Sequence, residues 1–588
     1  MKKKLLSVLL AAAMTISLAA CGQSSFDEKG SPSSEGISDT SDSSTQQTED
    51  QADADSPEEI NYYGFDEPTT VKIGISYAAA PDFTFYGGET VDNNAWLDLY
   101  KANNIITDVL YEVDPSQEQT KLSTAIMSGD YPDVFSSNAS EYRNYVESEA
   151  VADITEAYEK YASEELKAYM ENDGGMALES LRIDGKLYGL PRVNNDPYAS
   201  AHVMWIRKDW LDNLGLEIPT TMEELQEVAR AFTFNDPDGN GQNDTYGLAL
   251  DGINIINDSL GNADPIFNAF GAYLGKNGLT YVEDENGEIV WGGANAEGMK
   301  AALQMLQDMY KEGTIARDFI TMDYNTIMEE EAGAGRCGIW FGPNWAAMNP
   351  SATATQKDLN CEMIAVHVPS GNGERAMAYA SSSAGTVYYV SSKCEHPEML
   401  IKLFNLSVKY QNADNCTADE YNMYYGDSAN YSGWKTSIVY GGGPDGNRTN
   451  AALVASVESG NAANLNAKQI ENYNSIKTYM DAVADGTLDP ADSAHQRGLA
   501  LYTVHIGDHS AWSVIRDMMA NDDYVLAAYN GVPSEEVSNN AATLKKLLVE
   551  TIVKTITGAQ NVDSYDSFLD TWYAMGGEDA IAEANELR

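Results

Sequence analysis

The residues best spaced for chemistry lie between 236 and 247. Asp236, Asp238, Asn240 and Asp244 stand at positions 1, 3, 5 and 9 of an EF-hand-like loop, with Gly241 at turn position 6. Position 7 is Gln242, whose backbone carbonyl supplies a further oxygen. Alternating oxygen ligands around a glycine turn suit a hard cation, so a structural Ca²⁺ is expected here. Position 12 is Gly247 and not a bidentate Glu, which leaves an unmetallated Asx-rich turn as the alternative. Other reactive patterns are weaker. His505 and His509 are spaced like metal ligands, but Gly507 interrupts the helix that would align them. Gly441–Gly443 is followed by no Lys-Ser/Thr, and no G-x-S-x-G elbow occurs. With 90 Asp+Glu, accidental carboxylate pairs abound, so no glycosidase dyad follows from counting. Cys337, Cys361, Cys394 and Cys416 lack C-x-x-C spacing; mostly free buried thiols are expected, with pairing left open.

Flat rings are a stronger resource than proton shuttles: 35 Tyr and 9 Trp stand against 6 His. Trp345 follows a Gly342-Pro343 break at a strand end, where a core indole is poorly served. Tyr86 lies in a long first loop with Phe83 and Phe85, one of the three being expected to face a ligand. Tyr425 and Trp434 fall in an irregular Tyr-, Asn- and Gly-rich stretch at 409–450, where an exposed ring needs a reason. Trp512, in His509-Ser510-Ala511-Trp512, is a further candidate. Trp96, Trp210, Trp340 and Trp572 have apolar neighbours in regular elements and are expected in cores.

The elements that must position these residues begin with a leader. Lys2–Lys4 precede an apolar stretch, 5–20, too short for a membrane span and suited to a secretion signal. It ends in Leu18-Ala19-Ala20-Cys21, so 1–20 reads as a signal peptide, with Cys21 as the lipidated N-terminus of an exported, membrane-anchored chain. Residues 21–66 read as a disordered acidic linker. The whole chain of 588 residues has a formal net charge of −54, which argues against nucleic acid as a partner. Its 43% hydrophobic and 21% charged residues are ordinary for a globular protein. The body alternates strands (Val71–Tyr77, Ile106–Val113, Tyr131–Ser136) with helices (Ala95–Asn104, Thr120–Ser128), an α/β rhythm that places ligands beyond the carboxyl ends of the strands. A second region starts near Ala201 with a strand, a helix closed by Gly215, and a Thr221/Glu224 capping box. A strand at Cys337–Phe341 leads into Trp345.

An ordered set of motifs carries a resemblance. The lipoprotein Cys and Ser-rich spacer are followed by Gly129-Asp130-Tyr131-Pro132-Asp133-Val134, Asp184-Gly185-Lys186-Leu187-Tyr188-Gly189, Arg207-Lys208-Asp209-Trp210 and Gly342-Pro343-Asn344-Trp345. Over residues 67–588 the chain resembles the family 1 extracellular solute-binding proteins, the receptors of ATP-driven (ABC) sugar importers that include maltose-binding protein. The 236–247 loop is similar to that of the long Gram-positive-type branch and of alginate-binding receptors, which use a similarly truncated calcium loop. The resemblance implies a two-lobed periplasmic-binding-protein-like (type II) α/β fold with hinge crossings near Leu190–Tyr198, Pro369–Gly373 and Leu406–Asn412. It divides the body into an N-terminal lobe, 67–195 plus 370–410, and a C-terminal lobe, 196–369 plus 411–588. It implies a non-enzymatic monomer that captures an oligosaccharide in the cleft and delivers it to permease subunits. It also implies that Trp345 stacks on sugar and that Ser137 and Asn138 form a ligand-contacting loop. Arg143, Arg192 or Arg336 are candidates for making the cleft locally positive. A surface-anchored carbohydrate-active enzyme, or a receptor for another solute, remains the alternative.

Overall fold

The computed structural model describes residues 60–586, apart from 78–84, 86–87, 194–197, 199–200, 258, 276–277, 285, 381–384, 429–430, 443–445 and 530–534. Cys21 and Tyr86 therefore lie outside the described residues, as do the signal peptide and most of the linker.

The first lobe is built on five strands. β1 (Thr69–Ile75) pairs in parallel with β2 (Ile105–Glu112). β3 (Val134–Asn138) lies beside β1, tied by the Asp133 amide to the Lys72 carbonyl at 2.8 Å and by the Lys72 amide to Asp133 Oδ2 at 2.8 Å. The short β4 is Leu190–Pro191. A strand from far along the chain, Thr386–Val390, runs antiparallel between β3 and β4. Helices α1 (Ala95–Ala102) and α2 (Glu118–Ser128) connect the first three strands. Asn94 caps α1 by accepting from the Leu97 amide at 3.1 Å, and the helix buries Trp96 and Tyr100 on one face.

The second lobe centres on a mixed sheet. Its strands are β5 (Val203–Arg207), β6 (Tyr246–Leu248), β7 (Cys337–Gly342) and β8 (Met363–Val366), in the spatial order β8-β5-β7-β6. Every residue of β5 and β7 is buried, as expected of strands covered on both faces. The capping box at Thr221 and Glu224 is present and opens a helix at Met222–Phe234. Trp96, Trp210, Trp340 and Trp572 are all fully buried. All four described cysteines are free thiols.

Three boundaries differ from the sequence expectation. The linker stops short of residue 66, because Lys402 Nζ donates to the Gly64 carbonyl at 2.6 Å and Asn405 Nδ2 to the Tyr62 carbonyl at 2.7 Å. The second passage between lobes is not at 369–373. There the Met222 amide donates to the Ser370 carbonyl and the Gly371 amide to the Ala269 carbonyl, and Ala378–Ala380 still pairs with Tyr524–Leu526 in the second lobe. Core membership changes only between Ala380 and Val387. Nor is there a passage at 406–412, since Leu406 and Val408 sit in the first core within the helix Glu398–Gln411. The segment up to Tyr440 stays with the first lobe: the Trp96 indole donates to the Tyr424 carbonyl at 3.0 Å, and the Tyr100 hydroxyl accepts from the Ile438 amide at 3.0 Å. These partners are 328 and 338 residues apart in sequence, so no local pattern could announce them.

Candidate functional site

The edge of the first lobe from which the chain departs at residue 192 is formed by the carboxyl ends of β3 and β4 and by the start of the strand between them. Thr386 pairs with Asn138 on one side, and its carbonyl accepts from the Arg192 amide at 2.8 Å on the other. Asn138, Thr386 and Arg192 therefore form a row across the sheet edge. Asn138 and Arg192 are exposed. Successive strand residues face opposite sides, so Ser137 turns inward. It is 6% exposed, and its hydroxyl donates to Gln119 Oε1 at 3.1 Å. Of the expected loop pair, Asn138 is open to a ligand and Ser137 supports it from beneath.

Arg192 rests on a column of rings. Its guanidinium carbon is 4.1 Å from the Tyr440 ring centroid. Tyr440 is held by Trp434, edge-on at 5.2 Å, and its amide donates to the Tyr388 hydroxyl at 3.1 Å. Tyr425 lies beyond, 6% exposed and stacked on Tyr421 at 4.8 Å. This corrects the expectation for Tyr425 and changes that for Trp434: the irregular stretch folds its rings into the first core, and Tyr425 is structural. Trp434 is half-buried and acts as a buttress for Tyr440. Tyr440 itself drew no attention in the sequence. The signal was the Gly441-Gly442 beside it, since a Cβ at Gly442 would stand 2.3 Å from the Gln411 carbonyl oxygen. Those glycines permit a close backbone approach that sets Tyr440 under Arg192.

Elsewhere on this edge, the Ser76 hydroxyl donates to Glu118 Oε2 at 2.7 Å. Tyr77 packs edge-on against Phe85 at 6.3 Å, and burial pushes its phenol up to about 12. Arg143, in the helix Tyr142–Glu147 that follows β3, hydrogen-bonds the hydroxyl of Tyr529 from the second lobe. Burial raises that phenol to about 12, and Arg143 opposes the rise.

The matching edge of the second lobe lies where β7 ends and β5 begins, Gly342 pairing with Val203. The chain then turns. The Trp205 indole donates to the Pro343 carbonyl at 3.2 Å, and Trp345 emerges with 43% of its surface exposed. A polar loop runs alongside, its Gly261 amide donating to the Phe341 carbonyl at 2.9 Å. Within it Asn262 Nδ2 meets His202 Nδ1 at 2.7 Å, Asn257 donates to Asp251 at 3.2 Å, and the Ser259 hydroxyl is buried without a partner among the described residues. Burial pushes the Asp251 and Asp264 carboxyls up to about 6. Sequence reading passed over this loop, although the density of Asn and Asp in 251–264 among apolar neighbours marks it. Two other expectations are corrected. Trp512 is 3% exposed and packs in the second lobe's core. Arg336 belongs to the opposite end of β7, paired with Glu331 at 2.6 Å.

The 236–244 loop is closed on itself by hydrogen bonds. The Gly241 amide donates to Asp236 Oδ2 at 3.0 Å, and the Gln242 amide to Asn240 Oδ1 at 2.7 Å. The amide nitrogen of Asn240 stands 2.7 Å from Asp238 Oδ2 and 3.2 Å from Asp244 Oδ1. Among the described residues no three His, Cys, Asp or Glu side chains stand as an assembled cation site. The donor set nevertheless fits a hard cation. Asp236 Oδ1 is buried without a partner, and Asp238 is raised by burial, by the Asp236 side chain and by the Asp244 charge.

Comparison with known proteins bears on the family and the fold. A family model for bacterial extracellular solute-binding proteins matches residues 97–421. The polygalacturonan/rhamnogalacturonan-binding protein YtcQ of Bacillus subtilis is 27% identical over 296 residues, 50% of this chain and 54% of that one. Lipoprotein LipO of the same organism is 36% identical over 146 residues, 25% of this chain and 27% of its own length. The fructooligosaccharide ABC transporter substrate-binding protein FusA of Streptococcus pneumoniae is 28% identical over 250 residues, 41% of this chain and 44% of FusA. The chain thus spans about half or less of these relatives' lengths. Among solved structures, a solute-binding protein from Bifidobacterium longum infantis, described as HMO binding and ABC-transporter associated, superposes with a TM-score of 0.59 at 17% identity, over 89% of this chain and 99% of that one. An EF-hand mutant of S. pneumoniae FusA in complex with fructo-nystose gives 0.57 at 14%, over 88% and 98%. These two likenesses bear on the fold: α/β, with two lobes.

Proposed function

Because the chain belongs to the bacterial extracellular solute-binding protein family, we propose that its two lobes capture an oligosaccharide and deliver it to the membrane permease of an ABC importer. The observation that supports this reading is a polar, ring-bearing edge on each lobe. The second lobe offers the exposed Trp345 ring beside a polar loop, and the first offers the Asn138–Thr386–Arg192 row. A pyranose presents C–H faces to a ring and a fringe of hydroxyls to amides, hydroxyls and guanidinium groups. Halves on separate bodies act together only when the lobes close, so ligand shifts an open–closed equilibrium. The names of the relatives YtcQ and FusA support an oligosaccharide as the solute.

Two subsidiary proposals follow. Asp236, Asp238, Asn240 and Asp244, with the Gln242 carbonyl, would hold Ca²⁺, which would cross-link the segment between the helix Met222–Phe234 and β6; the orphaned Asp236 oxygen supports this. Cys21 would carry the lipid that anchors the chain on the outer face of the cell membrane, a reading supported by the relative named as a lipoprotein. Palmitate labelling that persists in a Cys21→Ser chain would refute the anchor.

The receptor reading is tested by screening a glycan panel by thermal shift, with product analysis of each mixture. One or more oligosaccharides should raise the melting temperature without being cleaved. Release of products would favour the surface-anchored enzyme, and a shift with a non-sugar solute alone would favour the other alternative.

A further inference from the structure

We propose that the first lobe carries a carboxylate subsite centred on Arg192, so that the preferred ligand is an acidic, uronate-containing oligosaccharide. This deepens the receptor reading and rests on it. Arg192 leaves β4 at the edge where Asn138 and Thr386 end their strands, and it is exposed there. The Tyr440 ring beneath it, at 4.1 Å, engages the guanidinium by its face. Stacking of that kind leaves the in-plane N–H donors of the fork free, and a carboxylate meets them bidentately.

The free fork stands in a strongly acidic chain. The chain holds 90 Asp+Glu against 36 Lys+Arg. Arg182, Arg207, Arg230, Arg336, Arg375 and Arg497 each pair with an acid within the described structure. Arg192 makes no ion pair among the described residues; its contacts are the Tyr440 ring and the Thr386 carbonyl. Glu118, on the same edge, is engaged by the Ser76 hydroxyl. Arg143 adds a second cation from the helix after β3, bonded to a phenol of the second lobe. Two guanidinium groups on one edge of an otherwise acidic body offer charged donors that a uronate carboxylate engages more strongly than a neutral glycan does. The adjoining Asn138 amide suits the hydroxyls of the same sugar ring.

The test compares oligogalacturonides with their carboxyl-reduced, neutral counterparts by calorimetry, on wild type, Arg192→Gln and Arg192→Lys. Wild type should bind the acidic oligomer at least tenfold more tightly than the reduced one, with affinity falling as salt rises. Arg192→Gln should erase that preference, bringing the acidic oligomer's affinity down to that of its reduced counterpart, while Arg192→Lys should retain part of it. Equal affinity for both oligomers in wild type, or parallel loss of both in Arg192→Gln, overturns the carboxylate subsite and leaves the receptor standing. Failure of every saccharide tried to bind overturns the receptor reading, and this inference with it.

Discussion

The two lobes bury polar groups in different ways. In the first, several core tyrosine hydroxyls donate to backbone: Tyr131 to the Ala150 carbonyl, Tyr142 to Leu181 and Tyr169 to Val193. Its candidate edge is a stack of rings that fixes one guanidinium. The second lobe hides groups that titrate within reach of ordinary pH. Asp251 and Asp264 are pushed up to about 6 by burial, and His505 is pushed down to about 4 by the same cause. It also holds the unpartnered Asp236 oxygen. The contrast teaches that charge recognition and environmental sensitivity are separated. The first lobe should set the charge preference for the sugar, and the second, besides offering the Trp345 ring, how stability responds to acid and cations.

The largest test of this division uses two tryptophans of the second lobe. Trp512→Ala, removing a ring that is 3% exposed, should cost about 3–5 kcal/mol of unfolding free energy in urea while leaving glycan affinity unchanged at 25 °C. Trp345→Ala, at 43% exposure, should do the reverse, weakening binding by about 2 kcal/mol with little change in stability. An affinity loss in Trp512→Ala would place that ring in the site after all.

Next comes acid. The folded-state pKa of His505 is depressed from 6.5 to about 4, so the unfolded chain binds the proton more readily. Its contribution is present above about pH 6.5 and is lost as pH falls toward 4, roughly 3 kcal/mol in all. Asp251 and Asp264, raised from 3.8 to about 6, act oppositely: protonation between pH 6 and 4 relieves their burial. Unfolding free energy measured from pH 7 to 4 should fall less, or rise more, in His505→Gln than in wild type. Identical slopes for the two chains would refute this role of His505.

The smallest effect is that of calcium. At about a hundredfold excess over Kd, Ca²⁺ should stabilise by about 2.7 kcal/mol. Chelator should lower Tm, Asp236→Asn should abolish the response, and exchange in the first lobe should stay unchanged. A melting curve indifferent to chelator would retire the cation.

Much of the placement of the candidate residues was legible because it depends on short-range punctuation. The Gly342-Pro343 break ends a strand and ejects Trp345; the Thr221/Glu224 pair opens a helix; alternation within β3 separates Ser137 from Asn138. Tyr425 and Trp512 were misjudged for one shared reason. Irregular or polar flanking sequence marks where regular hydrogen bonding stops, and says nothing about whether another element later covers the ring.

Strand–helix alternation and the ordered motifs by themselves pointed to the α/β fold and the family, since each is set by local geometry. Only the tertiary structure decided which core each late segment joins, where the chain passes between lobes, and that Arg192 rests on a ring without an ion pair among the described residues. Those outcomes turn on contacts such as Trp96 to Tyr424 and Arg192 to Tyr440, made between residues hundreds of positions apart. Such contacts form because burying a ring and satisfying its polar atom stabilises the fold, whatever the distance along the chain.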